Sequence, residues 1–133
     1  MTISYARTLS KALAFPIAVL ALNFLTVDLY DIWPSYDKLL HFLGGASIAV
    51  MWFIILKALI ASQRASIAPW WLSCLLLFGL VAVVGITWEW YEFFWDFQFG
   101  TLFQPSIADT MWDLFYDLAG GFLASYILTV RQQ

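Results

Sequence analysis

Residues 105–130 read PSIADTMWDLFYDLAGGFLASYILTV, and the two halves of this stretch differ in kind. From Leu118 to Val130 no residue is charged, a run of 13. That is short of the roughly 20 helical residues needed to cross a bilayer. Ahead of the run, Asp109, Asp113 and Asp117 recur every four residues. Helical residues at i and i+4 lie one above the other, so this repeat places three carboxylates on one face. The segment spans the membrane, over about 107–130, only if its acidic face is turned from lipid onto partner helices. With it the chain has four spans, and an even number puts both termini on one side.

The rest of the chain supplies the partners. Hydrophobic residues make up 63% of the 133 and charged ones 11%, against about 45–50% and 25% in ordinary globular chains. Mean hydropathy is +0.83. A soluble fold of this size cannot hide so much apolar surface, which excludes a water-soluble enzyme, a nucleic-acid binder and a disordered tail. Three further segments reach membrane length, at about 9–30, 37–60 and 68–96. Pro34, Pro69 and Pro105 each stand just ahead of a later span, where the missing N–H costs a helix nothing. Short loops make consecutive helices antiparallel neighbours. The predicted fold is all-α, an integral membrane four-helix bundle in one domain. Arg7 and Lys11 precede an apolar run from Ala12 to Val27 that reaches Asp28 without a small-x-small cleavage site, so the run reads as a retained first span. The single cysteine, Cys74, lies in an apolar run and reads as a small buried hydrophobe.

Charge sets the orientation. Arg7, Lys11, Lys57, Arg64 and Arg131 fall on one side and only Lys38 on the other, which predicts cytoplasmic termini by the positive-inside rule. All nine carboxylates fall in the outer loops or outer halves of helices. Trp70 and Trp71 mark the inner interface, and Tyr30, Trp33, Tyr36, Trp90, Tyr91, Trp95 and Trp112 the outer one.

The acidic residues form rows. Asp37 and His41 are i,i+4 at the start of the second span; Glu89, Glu92 and Asp96 are i,i+3,i+7 at the end of the third. With Asp109, Asp113 and Asp117 they predict a layered cavity: Asp37, Asp96 and Asp109 at the mouth, His41, Glu92 and Asp113 a turn down, Glu89 and Asp117 at the floor. Asp117 lies roughly 12 Å deeper than Asp109 at 1.5 Å per residue. Four deep carboxylates facing lipid would cost on the order of 10 kcal/mol, so the rows must face one another and hold protons or a cation in common. On this reading Lys38 neutralises one acid and His41 another.

Three chemistries suit such a site. A carboxylate-rich cluster with one imidazole fits a divalent metal, Mg²⁺, Mn²⁺ or Ca²⁺ before Zn²⁺, with His41, Glu92, Asp113 and Asp117 as ligands. Glu89 or Glu92 would then act as general base in a metal-dependent hydrolase or transferase. The wider cavity wall of Asp37, His41, Asp109, Asp113 and Asp117 suits a lipid-linked or cell-envelope ligand, with Trp and Tyr side chains for stacking. Proton or cation passage is the third, but the inner halves of the helices are nearly free of polar residues and close the cavity below. Against all three stands an accessory protein whose polar rows only specify helix packing. No Lys/Arg cluster, glycine-rich phosphate loop, CxxC or HExxH is present. Gly44-Gly45 with Ala49, and Gly120-Gly121 with Ala124 and Ser125, form small-residue faces. These predict either close contact between spans two and four or a homodimer.

The order Asp37-Lys38-x-x-His41-Phe42, then Glu89 with Glu92, then Asp109, Asp113 and Asp117 before Gly120-Gly121 resembles the VanZ-like and YjdF-like small bacterial membrane proteins. The resemblance covers roughly residues 30–128. It implies a four-helix protein of the bacterial cytoplasmic membrane with Asp37, His41, Glu89, Glu92, Asp113 and Asp117 as its characteristic polar residues. VanZ-like proteins are associated with altered sensitivity to a glycopeptide antibiotic. This chain departs from them in having Glu92 where they carry Gln, no Arg in the loop before the fourth span, and no Asn near Asp117, so that role is not carried over.

Overall fold

A computed structural model describes residues 5–26, 28–33, 35–66 and 69–131. Val27, Pro34 and Ala68, which the spans above touch on, lie outside these residues, as does the side chain of Asp31. Four long helices carry the fold: α1 (Tyr5–Leu25), α3 (Tyr36–Ala61), α4 (Trp70–Phe99) and α5 (Ile107–Val130), with a one-turn α2 (Leu29–Ile32) between the first two. There is no strand among the described residues. The chain is an all-α membrane bundle. α1, α3 and α4 are each long and apolar enough to cross a membrane. α5 matches them in length and differs by its three aspartates.

Local chemistry sets the helix ends. α1 stops before residue 30 because Thr26 turns back on the last turn, its hydroxyl donating to the Leu22 carbonyl at 2.6 Å and meeting the Tyr36 hydroxyl at 2.6 Å. α4 runs on to Phe99 and ends at Gly100, which takes the left-handed φ of 68° and returns its N–H to the Asp96 carbonyl. Only glycine adopts that conformation without a Cβ penalty. α5 begins at Ser106, whose hydroxyl accepts the Asp109 N–H at 3.2 Å as an N-cap.

The helices do not pack in chain order. α3 and α5 form the central pair, α4 packs mainly on α5, and α1 packs on α3 alone among the long helices. With α4 running back between them, α3 and α5 are parallel, so their N-terminal turns come together. Two glycines permit this. A Cβ on Gly45 would overlap the Asp117 carbonyl, and one on Gly120 would overlap the Phe42 carbonyl. Backbones thus meet directly, as small-residue faces allow. Both glycine faces are spent inside one chain: Gly45, Gly120 and Gly121 are buried, so the homodimer expected through them has no free surface there. The helices turn many large apolar side chains outward, Phe24, Val83 and Phe122 among them, as a bundle solvated by lipid should.

Candidate functional site

The parallel start of α3 and α5 builds the first layer. Lys38 Nζ donates to Asp109 Oδ1 at 2.6 Å, Asp113 Oδ1 at 2.7 Å and Asp37 Oδ2 at 3.1 Å. The lysine touches three carboxylates, because the two α5 acids lie a single turn apart and both reach its head, while its one charge offsets only one of them. One turn deeper, His41 Nε2 stands 3.7 Å from both Asp37 Oδ1 and Asp113 Oδ1, and Nδ1 stands 3.4 Å from Asp117 Oδ2. Asp117 has room because glycines face it: a Cβ on Gly85 would come within 3.0 Å of its carboxylate, and one on Gly44 within 3.7 Å. Asp113 is 2% exposed and Asp117 7%; neither faces lipid.

Glu89 completes the floor from α4 and is 3% exposed. Its Oε2 accepts from Gln104 Nε2 at 2.7 Å, and the same amide donates to the Glu89 carbonyl at 2.9 Å. Its Oε1 is buried with no partner. Trp52 Nε1 and Ser125 Oγ are also unpartnered among the described residues, but neither is an acid. Glu89, His41 and Asp117 offer ligand atoms within 4.8 Å of one another, as do Asp37, His41 and Asp113. In the second trio Asp37 and Asp113 already bind the Lys38 ammonium. A divalent ion with bonds of about 2.0–2.6 Å holds its ligands no more than about 5 Å apart, so the first trio has the spacing and the spare donor for one.

Two expected members take other partners. Asp96, placed at the mouth with Asp37 and Asp109 by its spacing, instead organises the loop after α4. It accepts from the Thr101 hydroxyl at 2.5 Å, the Phe103 N–H at 2.9 Å and the Gln104 N–H at 2.8 Å. The chain doubles back past Gly100, and those donors take the carboxylate before the other rows can. Glu92 accepts from Trp88 Nε1 at 2.8 Å and belongs to neither trio. Gln104 gave no signal in the sequence, since it lies in a loop without periodicity. Glycine at 100 with an acid four residues before it is the pattern that could have pointed to that loop.

A cavity of about 450 Å³ opens onto these groups, with Asp37, His41, Glu92 and Asp117 in its wall. A second, of about 400 Å³, lies against Glu89 and Gln104 between α4 and α5. The Tyr30 hydroxyl donates to Asn23 Oδ1 at 2.6 Å, and both residues line the first cavity. Burial, and after it the charge of Asp37, holds that phenol above its ordinary range, so it stays a donor.

A family described as "Predicted membrane protein (DUF2238)" matches residues 7–133, and the chain belongs to it. No curated protein and no solved structure matches the chain.

Proposed function

We propose that this DUF2238 member is a ligand-binding protein of the bacterial cytoplasmic membrane that holds a divalent cation between His41, Glu89 and Asp117, in a cavity facing outward with both termini inside. The observation that carries the reading is Glu89 Oε1, a buried acid oxygen without a partner beside an imidazole and a second buried acid. A buried carboxylate left unpaired is costly, and a cation satisfies all three groups at once. Ligand chemistry favours Mg²⁺, Mn²⁺ or Ca²⁺ over Zn²⁺, for want of a second imidazole. Asp113 serves Lys38 first and His41 second. Glu92, in the cavity wall, is placed to take a proton from water or a ligand if the site is hydrolytic. The VanZ-like and YjdF-like resemblance points to the same acids and the same membrane.

A second reading draws on the upper layer. The Lys38 clamp joins α3 to α5 by giving three carboxylates one shared ammonium, which is what a packing device needs. The test is elemental analysis of the purified protein, with melting measured with and without chelator, for wild type and Glu89→Gln. The cation reading expects bound metal and a chelator-sensitive melt in wild type, with both lost in Glu89→Gln. No metal, together with a melt indifferent to added Mg²⁺, Mn²⁺, Ca²⁺ or Zn²⁺, would sink it and leave the packing reading.

A further inference from the structure

The 450 Å³ cavity changes character along its length. At the end near the α3 N-terminus its wall is polar, with Asp37, His41, Glu92 and Asp117. Away from that end it is lined by Pro16 and Ile17 of α1, Ile48 and Met51 of α3, and Val81 and Val84 of α4. Its volume lies within the roughly 300–1,000 Å³ of ordinary ligand pockets. One side is unsealed. α1 packs on α3 and not on α4, and the wall residues Leu13, Ile17 and Leu20 remain more than a third exposed. The open seam therefore faces the hydrocarbon of the bilayer.

Each end restricts the occupant. Water fills a space only where it finds two to four polar partners, and the apolar end offers only the Ser47 hydroxyl, already donating to the Gly44 carbonyl, so an apolar chain belongs there. Ionised carboxylates only accept hydrogen bonds, and the nearby ammonium of Lys38 is taken up by Asp37, Asp109 and Asp113. His41, the basic side chain of this wall, already faces Asp37, Asp113 and Asp117, so a phosphate or sulfate head would add its charge to that of Asp37, Glu92 and Asp117. A head that donates and carries positive charge complements Glu92, Asp117 and Asp37.

We infer that this cavity binds a single-chain amphiphile with an amine head, entering from the membrane between α1 and α4. The head lies between Glu92 and Asp117, and the chain runs down past Val84 and Ile48. The inference rests on the reading of this cavity as a ligand site, but not on a cation in the deeper trio. Glu89 lines the other cavity rather than this one.

The full chain, reconstituted in nanodiscs of zwitterionic lipid with chelator present throughout, would be titrated with radiolabelled hexadecylamine, using hexadecanol and hexadecyl sulfate as competitors. The amine should bind at least about tenfold more tightly than the alcohol, the difference one charge-assisted hydrogen bond makes, and the sulfate should not compete. Glu92→Gln should erase most of that preference while leaving hexadecanol unchanged. Val84→Trp should abolish binding by filling the apolar end, with Leu20→Trp on the facing wall as a second variant should the first fail to fold. Glu89→Gln should retain amine binding, so failure of the metal reading leaves this result standing. Equal competition by all three heads would show a slot for any lipid chain and overturn the inference, as would undiminished binding in a folded Trp variant.

Discussion

Lys38 on α3 and Asp113 on α5 meet at 2.7 Å, although 75 residues of chain separate them and Asp113 is almost wholly buried. This pair is the crossing point of the bundle's central helices and of its acidic site. Removing the lysine leaves a buried carboxylate uncompensated, which typically costs about 3–5 kcal/mol. Lys38→Met should therefore lower stability by that order in detergent unfolding. Lys38→Met combined with Asp113→Asn should recover much of the loss. A single variant as stable as wild type would mean that the contact does not hold α3 to α5.

The glycines give a contrast inside one fold. Gly45→Ala and Gly120→Ala each push a Cβ into a backbone carbonyl of the facing helix, and overpacking of this kind costs about 1–3 kcal/mol or more. Gly79 on α4 has nothing within 4 Å of a built Cβ. There alanine should be neutral or stabilising by about 0.5–1 kcal/mol, the helix preference alone. Melting of the three variants side by side decides the matter, and equal effects would contradict the close α3–α5 contact.

Asp96 ties three loop donors to the end of α4. Hydrogen bonds to a charged group are stronger than neutral ones, so Asp96→Ala should loosen residues 100–106 and make that loop markedly more sensitive to protease. The same variant should reduce whatever binding depends on Glu89, because Gln104 is held by the loop it frees. Wild-type protease resistance would show that Gly100 alone suffices.

Orientation is open to labelling. Leu102 is 82% exposed in the loop after α4 and Cys74 is buried, so Leu102→Cys offers a clean reporter. An impermeant maleimide should modify it from outside intact cells, while Ser66→Cys in the α3–α4 loop should react only after permeabilisation. The reverse pattern would invert the assignment made from the basic residues.

Much of this was legible in the chain, for identifiable reasons. The spans follow from apolar runs, and the acid rows follow from helical repeats, which fix a face whatever the tertiary fold. Close contact between the second and fourth spans was one of two readings that the small residues allowed, and it is made by Gly45 against the Asp117 backbone and Gly120 against the Phe42 backbone. What spacing could not show was neighbourhood. Lys38 gathers three acids because α3 and α5 run parallel and touch, and no local pattern states which helices adjoin. Asp96 shares a helical repeat with Glu89 and Glu92, yet the chain beyond Gly100 supplies nearer donors. The partner of Glu89, Gln104, comes from that same aperiodic loop.

The parallel pairing of α3 with α5 also bears on how the chain enters the membrane. α3 is synthesised first and must wait, with Lys38 and His41 unmatched by α5, until the last helix emerges. α5 carries three aspartates, each costing about 2.5–3.5 kcal/mol at a helix centre on the insertion scale, and has few means of crossing unaided. In the folded bundle Lys38 meets Asp109 and Asp113, so α5 sits in the bilayer with two of its three acids turned to a cation on its neighbour.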